Sequence, residues 1–172
     1  MLINMTIQIQ TERLNLKKIE QKDINQLIKN LNNWNIVKWL VNVPYPYTTN
    51  DAKNWLDKSI KEELTLNIYL NNTLIGGITI DSRSEDNKNV LGYWLVEEYW
   101  GKGYAVESCK SLISYFFSNY SENKIIASHM VDNEKSKKIL ISLGFKKINT
   151  STIFSLSRNE NVKDINYVLI KS

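Results

Sequence analysis

The chain holds six glycines in 172 residues, and two of them, Gly101 and Gly103, flank one lysine between a strand pattern and a helix pattern. VLGYWLVEE ahead of them has the apolar and aromatic make-up of a strand. KGYAVESCKSLISYFFSNY behind them repeats Ala105, Cys109, Leu112, Ile113 and Phe116 at helical spacing. A junction of this kind directs several backbone N–H groups at one point, with the positive end of a helix behind them. Two readings are open. The pair makes a cradle for a phosphate, with Lys102 adding charge, or it serves a tight turn that needs positive φ.

The rest of the chain punctuates itself clearly. IQIQTERLNLKKI alternates apolar and polar residues from Ile7 to Leu16, the period of a half-buried strand. EQKDINQLIKNLNN places Ile24, Leu27, Ile28 and Leu31 on one helical face, and WNIVKWL predicts a second, short helix. Both prolines, Pro44 and Pro46, fall in VNVPYPYTT, which reads as a kinked loop. Thr49 or Asn50 is expected to cap a helix running through Trp55, Leu56 and Ile60. LTLNIYL and TLIGGITID, joined by Asn71-Asn72, form a hairpin pattern, and a polar turn, SRSEDNKN, follows. KIIASHMV reads as a buried strand, and NEKSKKILISLGF as a helix stopped by Gly144. KKINTSTIF and VKDINYVLI read as two closing strands. No repeat or linker interrupts the chain, so one α+β domain with a mostly antiparallel sheet is expected.

Composition narrows the function classes. Apolar residues make up 42% of the chain and charged residues 23%, with a net charge of +4, ordinary values for a soluble domain. Lysine and arginine are interspersed with acids from Arg13 to Lys171, so no concentrated basic face for nucleic acid is expected. The single cysteine, Cys109, excludes an internal disulfide and a cysteine metal framework. In its helical stripe Cys109 reads as a small buried apolar residue ahead of a reactive thiol. Nothing approaches roughly 18 consecutive apolar residues, and the start lacks a cationic segment followed by an apolar run. Neither a membrane span nor a signal peptide is expected, and the location is expected to be cytoplasmic.

The glycine pair is not a dinucleotide fingerprint, for want of a third glycine, nor a Walker loop, for want of GxxxxGK[ST]. Glu98-Tyr99-Trp100-Gly101-Lys102-Gly103 resembles the pyrophosphate loop of the GNAT N-acetyltransferase superfamily, Gln/Arg-x-x-Gly-x-Gly/Ala, with Glu at the first position. Three more segments resemble the branch that acetylates ribosomal-protein N-termini, the RimJ/RimL-like group. They are TERLNL at Thr11–Leu16, PYPYTTNDAKNWL at Pro44–Leu56 and DNEKSKKILISLGF at Asp132–Phe145, in matching order from about Thr11 to the chain's end. The resemblance implies a GNAT-like α+β fold, one domain over residues 1–172. Its sheet is expected to be mixed and mostly antiparallel, with six to seven strands flanked by about four helices.

The resemblance further implies transfer of an acetyl group from acetyl-CoA to an amine, with CoA as product and no metal. The N–H groups of Gly101, Lys102, Gly103, Tyr104 and Ala105 are the implied pyrophosphate cradle. The strand edge at Trp94, Leu95 and Val96 is implied to meet the pantetheine amides, one N–H there polarising the thioester carbonyl. Asn133 and Ser136, one helical turn apart, match the branch's Asn-x-x-Ser and are implied contacts at the sulfur, with Ser136 as proton donor or polariser. The alternative is that both cap their helix.

The Glu that the family places two residues before Gly-Tyr is Val90 here. That leaves His129, Asp81 or ordered water to take the amine's proton, although a lone strand histidine also suits packing. The acceptor region is WNIVKWLVNVPYPYTT, where Tyr45 and Tyr47 in the loop are expected to touch substrate. Trp34 and Trp39 suit a substrate-contacting aromatic lining there, with Trp39 the substrate candidate, and packing of the helices on the sheet equally well. The expected acceptor is a protein or peptide N-terminal amine. The alternatives are a small amine such as an amino acid or aminoglycoside, or a protein that binds acetyl-CoA without catalysis. A homodimer built on the strands after Phe145 is one option.

Overall fold

A computed structural model describes residues 7–81 and 89–171 of the chain. The opening alternation does not run as one strand. Thr11 closes a turn on Leu14, donating its N–H to the Leu14 carbonyl at 2.9 Å and accepting the Leu14 N–H on its hydroxyl at 2.8 Å. The result is a small hairpin of β1 (Ile9–Gln10) and β2 (Asn15–Lys17).

A 3₁₀ turn at Gln21–Asp23 leads into α1 (Ile24–Leu31), then the single-turn α2 (Trp34–Val37), the proline loop and α3 (Thr49–Lys61). The α3 cap is Thr48, one residue before the expected Thr49 or Asn50. Asp51 decides this, because its carboxylate returns the Thr48 cap by accepting the Thr48 N–H at 2.8 Å. The hairpin of β3 (Thr65–Leu70) and β4 (Thr73–Asp81) turns on Asn71 and Asn72, both at positive φ, as asparagine tolerates. Most of the polar turn expected next falls on residues 82–88, outside the described residues.

The chain continues as β5 (Val90–Leu95), α4 (Tyr104–Asn119), β6 (Lys124–Met130), α5 (Glu134–Ser142), β7 (Lys146–Ser155) and β8 (Glu160–Ile170). Among the described residues the sheet has eight strands in the order β1-β2-β3-β4-β5-β6-β8-β7. It is antiparallel except where β5 meets β6. That is one strand more than the upper expectation, and the described residues hold five α-helices where about four helices were expected. The split at Thr11–Leu14 supplies the extra strand.

Two apolar layers cover the sheet. On one face Leu66, Ile78, Leu91, Ile125 and Ala127 pack against Cys109, Leu112 and Phe116 of α4 and Leu140 of α5. On the other face Leu27 and Leu31 of α1, Ile36, Tyr47 and Ala52 form a second cluster, with Trp55 and Trp94 packed against it. Among the described residues no helix is long and apolar enough to cross a membrane.

Candidate active site

The site begins where β5 and β6 stop pairing. Their parallel register covers only Val90↔Ile126 and Leu91↔Ala127. Beyond it, Gly92–Leu95 and Ser128–Met130 diverge into a wedge, while β6 stays paired to β8 along its whole length. The C-terminal ends of adjacent parallel strands are a favoured ligand position in open sheets. The Val96 N–H bonds the Ile75 carbonyl at 2.8 Å. Antiparallel alternation therefore turns the Trp94 N–H toward β4 as well, and leaves those of Tyr93 and Leu95 facing the wedge. Of the three edge residues expected to meet the pantetheine, Leu95 alone presents its N–H there.

The glycine loop closes one end of this wedge. After a 3₁₀ turn at Glu97–Tyr99, Gly101 and Gly103 take φ of 73° and 81°. Both readings of the pair therefore coincide: the turn needs positive φ, and it bares the start of α4. Gly103 is the α4 N-cap and offers no side chain to the first N–H groups of the helix. A Cβ on Gly101 would meet nothing within 4 Å, so the space above that peptide is open. A Cβ on Gly103 would lie 3.3 Å from Arg13 Nη2. Open backbone donors at a helix start, with Lys102 exposed among them, fit a pyrophosphate.

Arg13 holds this loop from outside. Its Nη1 donates to the Lys102 carbonyl at 3.0 Å, and its Nε to Glu107 Oε2 at 2.7 Å. The guanidinium also lies 4.4 Å over the Tyr104 ring. Glu107 takes the Thr11 hydroxyl at 2.6 Å and the Arg13 N–H at 2.8 Å on its other oxygen. Burial alone would raise the Glu107 carboxyl, but these donors outweigh it and hold it below the usual range. The turn in TERLNL thus serves as an anchor for the first turn of α4.

Across the wedge mouth, Asn133 caps α5 by accepting the Ser136 N–H at 3.1 Å. The Ser136 hydroxyl shares a hydrogen bond with Tyr93 Oη at 2.8 Å, a link from α5 to the part of β5 that no longer pairs with β6. Burial, with a smaller effect from Cys109, keeps the Tyr93 phenol protonated well above its ordinary range. Tyr93 is not among the site residues that the sequence points to, where it serves only as part of a Gly-Tyr landmark. Arg13 and Glu107 escape sequence reasoning for the same reason, since partners this distant leave no local signal. Cys109 is fully buried, and burial pushes its thiol far up, as for a packed apolar residue.

The other sequence candidates separate. His129 is buried, with Nδ1 2.7 Å from the Met130 carbonyl and Nε2 3.1 Å from Tyr167 Oη. Asp81 pairs with Val90 at the opposite end of β5 from Leu95, and its carboxylate lies 3.4 Å from Lys58 Nζ. Tyr47 is buried and held by Asn32, whereas Tyr45 is exposed and rests 5.2 Å from the Trp34 ring. The Lys38 ammonium lies 5.2 Å and the Arg158 guanidinium 5.0 Å from the centre of the Trp39 ring. Trp94 lies across Gly77, where a Cβ would come 2.5 Å from the indole nitrogen.

Comparison with known proteins supports the fold and gives the family. The acetyltransferase (GNAT) domain family matches residues 13–146. The uncharacterized N-acetyltransferase p20 of Bacillus licheniformis is 30% identical over 145 residues, covering 80% of this chain and 81% of that protein. A GNAT-family acetyltransferase from Bacillus anthracis superposes with a TM-score of 0.83 at 22% identity, over 95% of this chain and 98% of that one. RimL, a ribosomal L7/L12 alpha-N-protein acetyltransferase in complex with coenzyme A, gives a TM-score of 0.80 at 16% identity, over 96% of this chain and 98% of that one.

Proposed function

The chain belongs to the GNAT acetyltransferase family, and from that premise we propose that it moves an acetyl group from acetyl-CoA to a primary amine, with the N-terminal amine of a protein or peptide as acceptor. One observation carries this reading. The divergence of β5 from β6 leaves the Leu95 N–H facing a wedge that ends at the Gly101–Gly103 loop. Acetyl-CoA would supply the activated acyl group. The free N–H groups from Gly101 to Ala105 would take its pyrophosphate, and Leu95 would polarise its carbonyl.

Ser136, oriented by Tyr93, would stabilise the departing sulfur. Asn133 would hold the α5 terminus that presents Ser136. Tyr45, exposed in the proline loop, is the aromatic we assign to the acceptor, together with Tyr47 and Trp39 of the same segment. His129, with both ring nitrogens occupied, fits a packing role better than that of a base in this scheme. RimL, a ribosomal L7/L12 alpha-N-protein acetyltransferase of the same fold, motivates the peptide acceptor.

The test is calorimetric titration with acetyl-CoA, then CoA release against a panel of peptide and small amines. Binding followed by release on peptides supports the reading. Release on small amines alone replaces the acceptor, and absence of binding overturns the function.

A further inference from the structure

One carboxylate near the wedge is buried with an oxygen left unsatisfied. Asp164 on β8 is 3% exposed, and its Oδ1 makes no hydrogen bond. An unsatisfied buried carboxylate oxygen costs stability and calls for a reason.

The register shows where this group stands. Asp164 is opposite Met130, and Asn166 opposite Ser128, so Asp164 and Ser128 are diagonal neighbours on one face. His129, opposite Ile165, is on the other face. Ile126 pairs with Val90 on β5, and alternation carries its face through Ser128 and Met130 on β6 and through Trp94 on β5. That is the face on which Trp94 packs with the cluster containing Tyr47. Ser128 is exposed and follows Ala127, the last β6 residue paired to β5. It therefore stands on the lip of the wedge, with Asp164 behind it. Burial raises the Asp164 carboxyl, and Ser128, His129 and the Ile165 N–H act in the opposite direction.

We propose that Ser128 contacts the incoming amine and passes its proton to Asp164, the pair standing in for the acid that β5 lacks at Val90. This rests on the acetyltransferase reading above. Ser128 touches substrate; Asp164 acts through it, as a positioning residue and proton store. The acceptor ammonium gives one proton to Ser128 Oγ as the Ser128 hydroxyl proton moves to an Asp164 oxygen. The neutral nitrogen then bonds the acetyl carbon while the carbon–sulfur bond breaks. The sulfur keeps that electron pair and takes the second nitrogen proton, and Asp164 returns the first to solvent. No oxidant or metal enters the balance.

The test compares Asp164→Asn and Ser128→Ala with wild type on two acceptors. One is the best amine from the panel; the other is its aminooxy analogue, whose nitrogen is unprotonated at neutral pH. On the amine, kcat/KM is expected to fall by about 100-fold in both variants, the usual size of a general-base contribution. Transfer to the aminooxy analogue, affinity for acetyl-CoA and the thermal midpoint are expected to stay near wild type. Amine affinity for the CoA complex should fall in parallel, a readout independent of turnover. If Asp164→Asn does not fold, the exposed Ser128→Ala variant carries the comparison alone. Equal losses on both acceptors would show a purely structural pair, and unchanged amine kinetics would remove Ser128 from the reaction. Wild-type protein that binds acetyl-CoA but acetylates neither acceptor would overturn the transferase reading itself.

Discussion

Arg13 and Glu107, 94 positions apart in sequence, meet through two donors on one carboxylate oxygen: Nε and Nη2 of Arg13 each lie 2.7 Å from Glu107 Oε2. The same guanidinium reaches the Lys102 carbonyl. One side chain thereby joins the β1–β2 turn, the glycine loop and the first turn of α4. Arg13→Ala should loosen the loop that would hold the phosphates while leaving both apolar layers intact. Calorimetry with acetyl-CoA should show about a tenfold weaker Kd, with the donor KM rising and kcat little changed. A shorter donor, S-acetylpantetheine, lacks the pyrophosphate and should be used equally well by both proteins. Equal losses with the two donors would reduce Arg13 to a fold-stabilising role.

The two glycines make separable predictions. A methyl at position 101 would stand in open space, so Gly101→Ala meets only the cost of positive φ, about 1–2 kcal/mol. That methyl would nevertheless occupy the place where an anion must approach the backbone. Gly103→Val adds a clash with Arg13 to the same φ penalty. Both variants should stay folded by circular dichroism and lose detectable acetyl-CoA binding, with Gly103→Val the less stable by thermal melting. Wild-type affinity in folded Gly103→Val would refute the phosphate cradle.

Ser136 and Tyr93 differ in what they contribute. Ser136→Ala removes the hydroxyl assigned to the sulfur, whereas Tyr93→Phe removes only the group that orients it. Steady-state kinetics should show kcat reduced by about 10- to 100-fold in Ser136→Ala. Tyr93→Phe should lose less. Neither should change acetyl-CoA affinity much, and the double variant should resemble Ser136→Ala, since the two act as one unit.

What the sequence discloses follows physical range. Gly101, Gly103 and Gly144 are legible because positive φ selects glycine locally, and all three adopt it. The β3–β4 hairpin is legible for a similar reason at Asn71-Asn72. The α3 cap shifts by one because Thr48, Thr49 and Asn50 are all good caps, and the choice lies with the reciprocal Asp51. The Thr11–Leu14 turn hides inside an alternation that a hairpin preserves, with Ile9 returning opposite Leu16. Tyr93 and Arg13 are out of reach because their partners, Ser136 and Glu107, are brought to them only by strand divergence and helix docking. Tyr47 reads as a loop aromatic, but Asn32 bonds both its backbone N–H and carbonyl and draws it into the core.

Lys18 sets a pH dependence of stability. Its ammonium donates to the carbonyls of Glu62, Glu63 and Thr65, and burial brings its pKa down to about 8, against a smaller upward effect of Glu63. The unfolded chain keeps this proton to about 10.4. Between about 8 and about 10.4 the unfolded state binds more protons, so the Lys18 contribution to stability grows as pH rises through that window. Chemical denaturation at several pH values should show wild type gaining on Lys18→Met across it. A gap that stays constant or narrows there would contradict the lowered pKa.

Gly77 and Trp94 should behave as one steric unit. They face each other across β4 and β5, and a Cβ at 77 would come 2.5 Å from the Trp94 indole nitrogen and 3.1 Å from the neighbouring ring carbon. Gly77→Ala therefore forces the indole off its seat against the α1–α3 cluster, at a cost of about 1–3 kcal/mol typical of overpacking. Trp94→Ala leaves a void instead and should cost about 3 kcal/mol or more. Once the indole is gone the methyl at 77 has room and occupies part of that void. Adding Gly77→Ala to Trp94→Ala should then be neutral or mildly stabilising, so the double variant is more stable than the sum of the single losses. Urea denaturation of all four proteins measures the coupling. Strict additivity would mean that Trp94 relaxes away from position 77 without loss, and that the glycine serves some other need of the strand.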